Sequence, residues 1–486
     1  MGWALEAQQA CVPCHPKQSA AFVRSPMGRS ISREVPSGSA KFTHAPSGSL
    51  FAVGPGSRHT VRRSGLEADY SVALAIGSGS HAQGYAVDIG GSLFQSPIAL
   101  YRNGTSWNVA PGYEEMPAPD FNRPITAECL QCHSSGAAAT AREAISCDRC
   151  HGDASAHLRQ PSRQTIVNPT RLPRAERDSV CEQCHLNGEA RVTNPGQAFS
   201  AFQPGRKLEE VFSVFVSEPA LPGLKVVSHV EQLELSRCQQ ATGKLWCGTC
   251  HQPHGELISV STECRRCHAA LSARHPAAIA SAPACETCHM PKRPARDGSH
   301  TPFTDHRIQQ RPEDRVKGTN QPALRAWRPA AAADLAKRNL GLAYVMTGER
   351  DGAAAPLNRG YRLLAEVFPK FPRDAEVLAS LGMVLFLKDQ HADAGKLLRA
   401  AIAAHPTDSS LREKLAVIQR ASGDPAGARL ALEKAIALDP SRETAYHLLA
   451  ELEQDPARRR AVLERYLRFN PRSLIAREAL ARLPAP

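Results

Sequence analysis

The sequence predicts a mostly α-helical chain in two parts, and three observations carry that prediction. All 15 cysteines lie between Cys11 and Cys288, so the last 198 residues contain none. Beyond residue 329 the composition turns to alanine and leucine with helical periodicity, and Pro372, Pro406 and Pro440 recur at 34-residue intervals. A motif-free stretch after Cys14 carries the turn pairs Gly90–Gly91 and Asn103–Gly104 between alternating segments, the pattern of a small antiparallel meander. The resulting division is a cysteine-rich domain at 1–310 with little regular structure and a β-rich insert at about 40–115, a linker at 311–328, and an α-solenoid at 329–486. A chain of 486 residues has room for two or three such domains.

The cysteines fall into seven copies of one pattern. Cys11–Cys14–His15, Cys129–Cys132–His133, Cys147–Cys150–His151, Cys181–Cys184–His185, Cys247–Cys250–His251, Cys264–Cys267–His268 and Cys285–Cys288–His289 all read C-x-x-C-H. That spacing is the attachment signature of c-type haem: two thiols form thioethers and the adjacent histidine reaches the iron. Zinc ribbons use paired cysteines without needing a histidine directly after the second. Thioredoxin-like sites use a single C-x-x-C. The expectation is seven covalently attached haem c groups, fourteen cysteines binding the cofactor, and seven proximal histidines on iron. Cys238 is left over and reads as a small buried hydrophobe, with a ligand or redox role as the alternative.

Composition agrees with this expectation. Aromatic residues make up only 5% of the chain, so porphyrins would supply the missing core. Seven haems bring about 14 propionates, which would offset most of the formal charge of +12, with arginines as bidentate partners. No basic run is interleaved with aromatics, which argues against nucleic acid as a partner. No stretch is long and apolar enough for a transmembrane helix.

Each iron has a second face. Candidate ligands for it are His44, His81, His157, His229, His254, His275, His300 and His306; His59, in the basic stretch "GSRHTVRR", is set aside as a loop residue. Histidines outnumber the irons, so mostly bis-histidine, low-potential haems are expected. His254 follows His251 by three residues, too few to pass around a macrocycle, so as a ligand it would serve a neighbouring haem. The glycine-rich "AIGSGSHAQGY" lacks the Lys-Ser/Thr of a phosphate loop and reads as a turn presenting His81.

In the C-terminal part, Leu381–Gly382 aligns with Leu415–Ala416 and Ala394 with Ala428 at the same 34-residue interval. This is the tetratricopeptide period, two antiparallel helices per unit. "RNLGLAY" at 338–344 starts an earlier, enlarged unit, and the 31-residue step to Pro471 marks a final cap. His391, His405 and His447 read as surface residues. Such repeats bind a peptide or partner protein, or associate with themselves.

With both parts read, the chain resembles bacterial multihaem c-type cytochromes fused to C-terminal tetratricopeptide repeats. The resemblance rests on "CVPCHPKQSAAFVRSPMGRS", "IGSGSHAQGY", "SPIALY", "WNVAPGYE", "RPITAECLQCH", "LWCGTCHQPH" and "CETCHMPKR", and covers nearly the whole chain. The haem part is similar to the superfamily of tetrahaem nitrification cytochromes and multihaem nitrite reductases. This implies tight haem stacking, electron transfer with redox partner proteins, and a periplasmic or extracellular location. "MGWALEAQQA" lacks the features of a secretion signal, so the resemblance implies a leader removed or lying upstream. Electron transfer is the leading expectation. The alternative is a multihaem oxidoreductase acting on a small nitrogen or sulfur compound at one open haem, and a scaffold with structural haems is a third reading.

Overall fold

The computed structural model describes residues 9–35, 38–101, 106–135, 143–255, 258–269, 284–309 and 323–484. The described chain opens with Cys11 at the end of a helical segment, then a turn and helix α1 (Pro16–Arg24), whose first position takes a proline because that N–H has no intrahelical partner. Ten strands follow: β1 (Ile31–Ser32), β2 (Ala40–His44), β3 (Ser49–Gly54), β4 (Arg58–Arg63), β5 (Leu66–Ile76), β6 (Ala82–Ile89), β7 (Ser92–Gln95), β8 (Ile98–Tyr101), β9 (Ser106–Val109) and β10 (Arg123–Pro124). They form one antiparallel sheet ordered β10-β7-β6-β5-β4-β3-β2, with β1 on β5 and β8–β9 branching from β6. The expected small meander is therefore a ten-stranded body. Its core joins Phe51, Val61, Tyr70, Val87, Phe94, Tyr101 and Phe121.

The underestimate has a physical cause. "RHTVRR" is strand β4, where Arg58, Thr60 and Arg62 face outward while His59 and Val61 are completely buried. Its charge concealed a period of two. The Gly90–Gly91 turn joins β6 to β7 with both glycines at positive φ (60° and 86°), as a two-residue primed turn requires. Asn103–Gly104 lies outside the described residues, flanked by the Tyr101–Ser106 pair of β8 and β9.

The following region is built from short helices: α2 (Ala127–Gln131), α3 (Asp148–His151), α4 (Ser155–Arg159), α5 (Arg174–His185), α6 (His229–Glu234), α7 (Arg237–Thr242), α8 (Cys247–Cys250), α9 (Val260–Cys267) and α10 (Cys285–His289). Strands β11 (Ala190–Thr193) and β12 (Phe212–Glu218) lie among them, and β13 (Lys292–Ala295) pairs with β14 (Gly298–Thr304). The expected linker is only partly a linker. Most of 311–328 lies outside the described residues, but β15 (Ala323–Ala326) pairs with β12, and Trp327 and Arg328 close on Glu182 of α5.

The C-terminal part is a run of antiparallel helix pairs: α11 (Ala333–Asp351) with α12 (Ala354–Val367), α13 (Ala375–Phe386) with α14 (His391–Ala404), α15 (Ser409–Ala421) with α16 (Pro425–Leu438), and α17 (Glu443–Leu452) with α18 (Pro456–Phe469). Helix α19 (Leu474–Ala481) ends the run. Small residues sit where helices cross: a Cβ on Gly360 would lie 2.8 Å from the Gly341 carbonyl oxygen, and Ala394 and Ala428 are completely buried. Asp374 and Asp408, one period apart, cap the first helices of successive units. The first pair is enlarged, as the spacing predicts, whereas the 31-residue unit expected to be a cap is a complete pair, α17 with α18, and the single helix α19 follows it. No described helix is long and apolar enough to cross a membrane.

Both ends of this solenoid are fastened to the rest of the chain. At its start, Arg338 is 1% exposed and reaches the Thr193 carbonyl at 2.5 Å and Asp374 at 2.9 Å, while Asn339 bonds Asn194 and Ser213. At its end, Leu474 enters the core of the ten-stranded body, and Arg63 grips Glu478 through Nε at 2.8 Å and Nη2 at 3.1 Å. The repeats are therefore not an arm on a tether.

Candidate cofactor-binding site

The seven motifs share a local geometry that follows from their spacing. The histidine N–H closes a helical turn onto the first cysteine's carbonyl at His15 on Cys11, His151 on Cys147, His251 on Cys247 and His268 on Cys264, at 2.8–3.0 Å, and in motifs 4 and 7 both cysteines and the histidine lie within one helix. Residues three apart in such a turn share a face, so both thiols project together with the histidine beside them. Motif 2 starts in α2, motif 3 spans α3, motif 4 ends α5, motif 5 forms α8, motif 6 ends α9 and motif 7 forms α10. No two of the fifteen cysteines are joined in a disulfide.

Packing brings motifs together that are distant in sequence. Cys11 meets Cys147, Cys132 meets Cys184, and Cys181 meets Cys247 through thiol hydrogen bonds. The bond from Cys184 lowers the Cys132 thiol, and burial raises that of Cys147. Motifs 6 and 7 are tied by Ser261, which donates to Glu286 (2.7 Å) and accepts from the Cys285 N–H (2.7 Å). Cys238, on α7, is partly exposed, and its thiol is raised by burial and by Cys267. It lies beside the motif thiols and not in an apolar core.

The histidines also pair across motifs. Two imidazoles on opposite sides of one metal ion, each bonded at about 2.0 Å, place their ring centroids roughly 6.3 Å apart. His15 and His157 are 6.4 Å apart, His151 and His254 are 6.0 Å apart, and His251 and His306 are 6.2 Å apart, with interplanar angles of 21°, 2° and 28°. His254 thus faces the histidine of motif 3 and not that of its own motif. His229 sits edge-on between His185 (5.4 Å) and His306 (4.9 Å).

A ligating imidazole commonly anchors its other nitrogen on a carbonyl. Nδ1 of His151 lies 2.8 Å from the Val167 oxygen, that of His157 3.1 Å from Ser162, that of His289 2.9 Å from Gln309 and that of His306 2.9 Å from Thr304. In each, Nε2 is the nitrogen directed elsewhere. Burial lowers the affinity of His133, His185, His251 and His306 for protons, and takes His229 down to about 3. These rings are neutral at neutral pH, the form that binds a metal.

Not every candidate joins this cluster. His44 is buried at the end of β2 with Nδ1 on Ser47 and Nε2 on the Glu114 carbonyl, both at 2.7 Å, so both its nitrogens are engaged. His81 packs against Phe303 at 5.6 Å, and His300 against Tyr101 at 5.1 Å with Asn108 3.4 Å away. The rings of His133 and His268 meet no other histidine ring among the described residues. His275 lies outside the described residues. His59, set aside in the sequence, is a core residue: it bonds Ser96 at 2.8 Å between Tyr85 and Trp107, and burial lowers it to about 3.

The residues therefore fit a group that asks the protein for two ligands per metal and two thiols beside them. Among the described residues, no group of three or more histidine, cysteine or acidic side chains is placed to share one ion. A structural zinc needs four protein ligands, whereas a haem brings four of its own and leaves two axial positions. The sequence reading missed two arginines here. Arg149 is hidden between the cysteines of motif 3, and Arg191 stands on β11 against the edge-to-face rings of Phe199 and Phe212.

No family model matches this chain, and no curated protein matches it. Solved structures match over part of the chain. A mutant O-GlcNAc transferase of Thermobaculum terrenum is 24% identical over 28% of this chain and 27% of its own length, with a TM-score of 0.26. MamA from Desulfovibrio magneticus RS-1 is 19% identical over 28% of this chain and 74% of that one, with a TM-score of 0.25. The first tetratricopeptide module of Spaghetti, bound to an HSP90 peptide, is 22% identical over 22% and 88%, with a TM-score of 0.21. The chain spans about a quarter of the transferase's length. Likenesses at these scores carry no argument, and the repeat assignment rests on the 34-residue helix pairs themselves. The two ends of that run of pairs engage the same chain.

Proposed function

We propose that this protein is an electron carrier holding seven covalently attached c-type haems, acting with redox partner proteins in the periplasm or outside the cell. The observation that carries the reading is the set of three histidine pairs at 6.0–6.4 Å, each joining two different motif neighbourhoods. When bound, haem iron supplies one-electron exchange between its ferric and ferrous states. The chain's own residues do the rest. Paired thiols on one helical turn anchor each group, histidines from the same and a distant motif hold it, and carbonyls fix their tautomer. Cross-motif pairing makes each site a staple between segments far apart in sequence, which shortens the spacing between neighbouring sites. The solenoid offers a surface for a partner or for self-association, braced at both ends.

Intact-mass analysis and visible spectra of the full chain, matured where c-type haem is attached, test this. Seven haems, all low-spin, are expected, and His254→Leu converts one of them to high spin. A chain without covalent haem overturns the reading. A high-spin component in the wild type that binds nitrite or cyanide favours the oxidoreductase alternative.

A further inference from the structure

Half of the chain's formal charge sits at the far end of the solenoid. Residues 456–484 hold eight arginines, two glutamates and neither lysine nor aspartate, a net +6 of the total +12, whereas residues 329–455 carry a net −1. These arginines turn to the last repeat and to the ten-stranded body, not to a motif. Arg459 bonds the Glu453 carbonyl at 2.8 Å, Arg460 that of Pro484 at 2.7 Å and Arg477 that of Glu67 at 2.6 Å. A neutral carbonyl satisfies a guanidinium donor and fixes its fork, but it leaves the positive charge in place.

Carboxylates offset only part of that charge. Arg465 pairs with Glu433 at 2.7 Å, and Arg63 takes Glu478. Asp69 is shared, since it lies 3.3 Å from Arg472 and also accepts from Arg58. Among the described residues, Arg468 and Arg482 are exposed and meet no carboxylate, and Glu464 is the single exposed acid of 456–484. Arg458, Arg465 and Arg468 stand seven and three residues apart, so they share one face of α18. The bond from Arg460 to Pro484 brings Arg482 back to the start of α18, and Arg472 joins its end to the sheet, where Arg58 and Arg62 of β4 continue the band.

The composition of the band selects among anionic partners. No exposed large apolar side chain lies in 456–484 or on β4 to enter a lipid surface. Its aromatic rings are turned inward for packing, Tyr466 completely buried and Phe469 against the two cores, so it offers bases nothing to stack on. A second copy would bring the same positive face and be repelled. Guanidinium forks held by backbone carbonyls match carboxylates in pairs.

We propose that α18 and α19, with Arg58 and Arg62 of β4, form a docking face for a partner protein that presents a carboxylate-rich surface. The inference rests on the partner docking in the functional reading above and not on its haems. A net +6 within one helix pair acts over about 10 Å at 0.1 M salt and speeds encounter with an acidic surface.

The experiment uses the full chain as wild type, as a patch variant (Arg458→Gln, Arg468→Gln, Arg482→Gln) and as a control variant that removes three exposed charges elsewhere on the solenoid (Arg373→Gln, Lys396→Gln, Arg399→Gln). None of the three patch arginines bonds the sheet, and equal thermal melts confirm that the fold is kept. The probe is a labelled peptide of about twelve residues, alternating Glu and Ser, read by fluorescence anisotropy at about 50 mM and about 300 mM salt. The expected result is binding that weakens about tenfold in the patch variant and less than about twofold in the control, with the difference shrinking at the higher salt. Equal affinity in all three proteins, or no binding by the wild type, overturns the proposal. Vesicles with about a third phosphatidylglycerol, or a thymidine oligonucleotide of about twelve nucleotides, bound more tightly than the peptide through the same three arginines overturn the assignment to a protein. Patch-dependent peptide binding by a chain found to lack haem supports the docking face while the haem reading falls.

Discussion

Replacing Asp120 by asparagine isolates the contact that closes the solenoid onto the ten-stranded body. Asp120 is 1% exposed. Its Oδ1 accepts the Phe121 N–H at 2.8 Å, and its Oδ2 accepts those of Leu474 at 2.7 Å and Ile475 at 3.3 Å, so it caps α19 from another domain. Burial, then the charge of Glu443, raises this carboxyl from 3.8 to about 7 against the pull of the three N–H groups. Tyr70, Tyr113 and Tyr466 also face it, with Arg123 and Arg472 beyond them. A raised folded value means that the docked state holds a proton which the undocked state releases. The contact is therefore strongest below about pH 4, weakens through about pH 7, and is constant above. The full span is about 4 kcal/mol, or roughly a thousandfold in the opening equilibrium. Hydrogen exchange of residues 474–481, corrected for intrinsic rates, reads this local opening directly. Asp120→Asn keeps an acceptor for the helix N-terminus and should flatten the dependence while matching or exceeding wild-type protection at pH 8. Protection that does not change between pH 4 and pH 8 in the wild type, or that changes equally in the variant, refutes the reasoning.

Two further outcomes follow from named contacts. His44→Leu should leave the visible haem spectrum unchanged while lowering thermal stability by about 1–3 kcal/mol, because the Glu114 carbonyl and Ser47 lose their partner; a change of spin state would make His44 a ligand after all. Arg338→Met should cost about 3–5 kcal/mol at the start of the solenoid, because it strands buried Asp374 and the Thr193 carbonyl. Limited proteolysis between residues 323 and 333 should become faster in that variant.

Much of the local organisation was legible before any coordinates. The 34-residue step, the enlarged first unit and the turn at Gly90–Gly91 all appear where the pattern put them; the lone last helix, beyond the final proline of the period, does not show in it. The sheet was underestimated because β4 disguises its alternation with arginines, and one-sided strands of six residues carry little signal without their neighbours. Ser-rich "THAPSGS" likewise hid the burial of His44, whose partner Glu114 lies 70 residues away.

What the sequence by itself determined is the chemistry that depends on spacing within one helical turn or one repeat. C-x-x-C-H places two thiols and an imidazole together wherever it folds, and the proline and alanine period dictates helix pairs. Only the tertiary structure decided which histidine faces which: His254 with His151, His157 with His15, His306 with His251. It also decided that the solenoid is held at both ends. Those are contacts between segments tens to hundreds of residues apart. They are selected by the burial of whole faces and by loop closure, neither of which leaves a period in the chain.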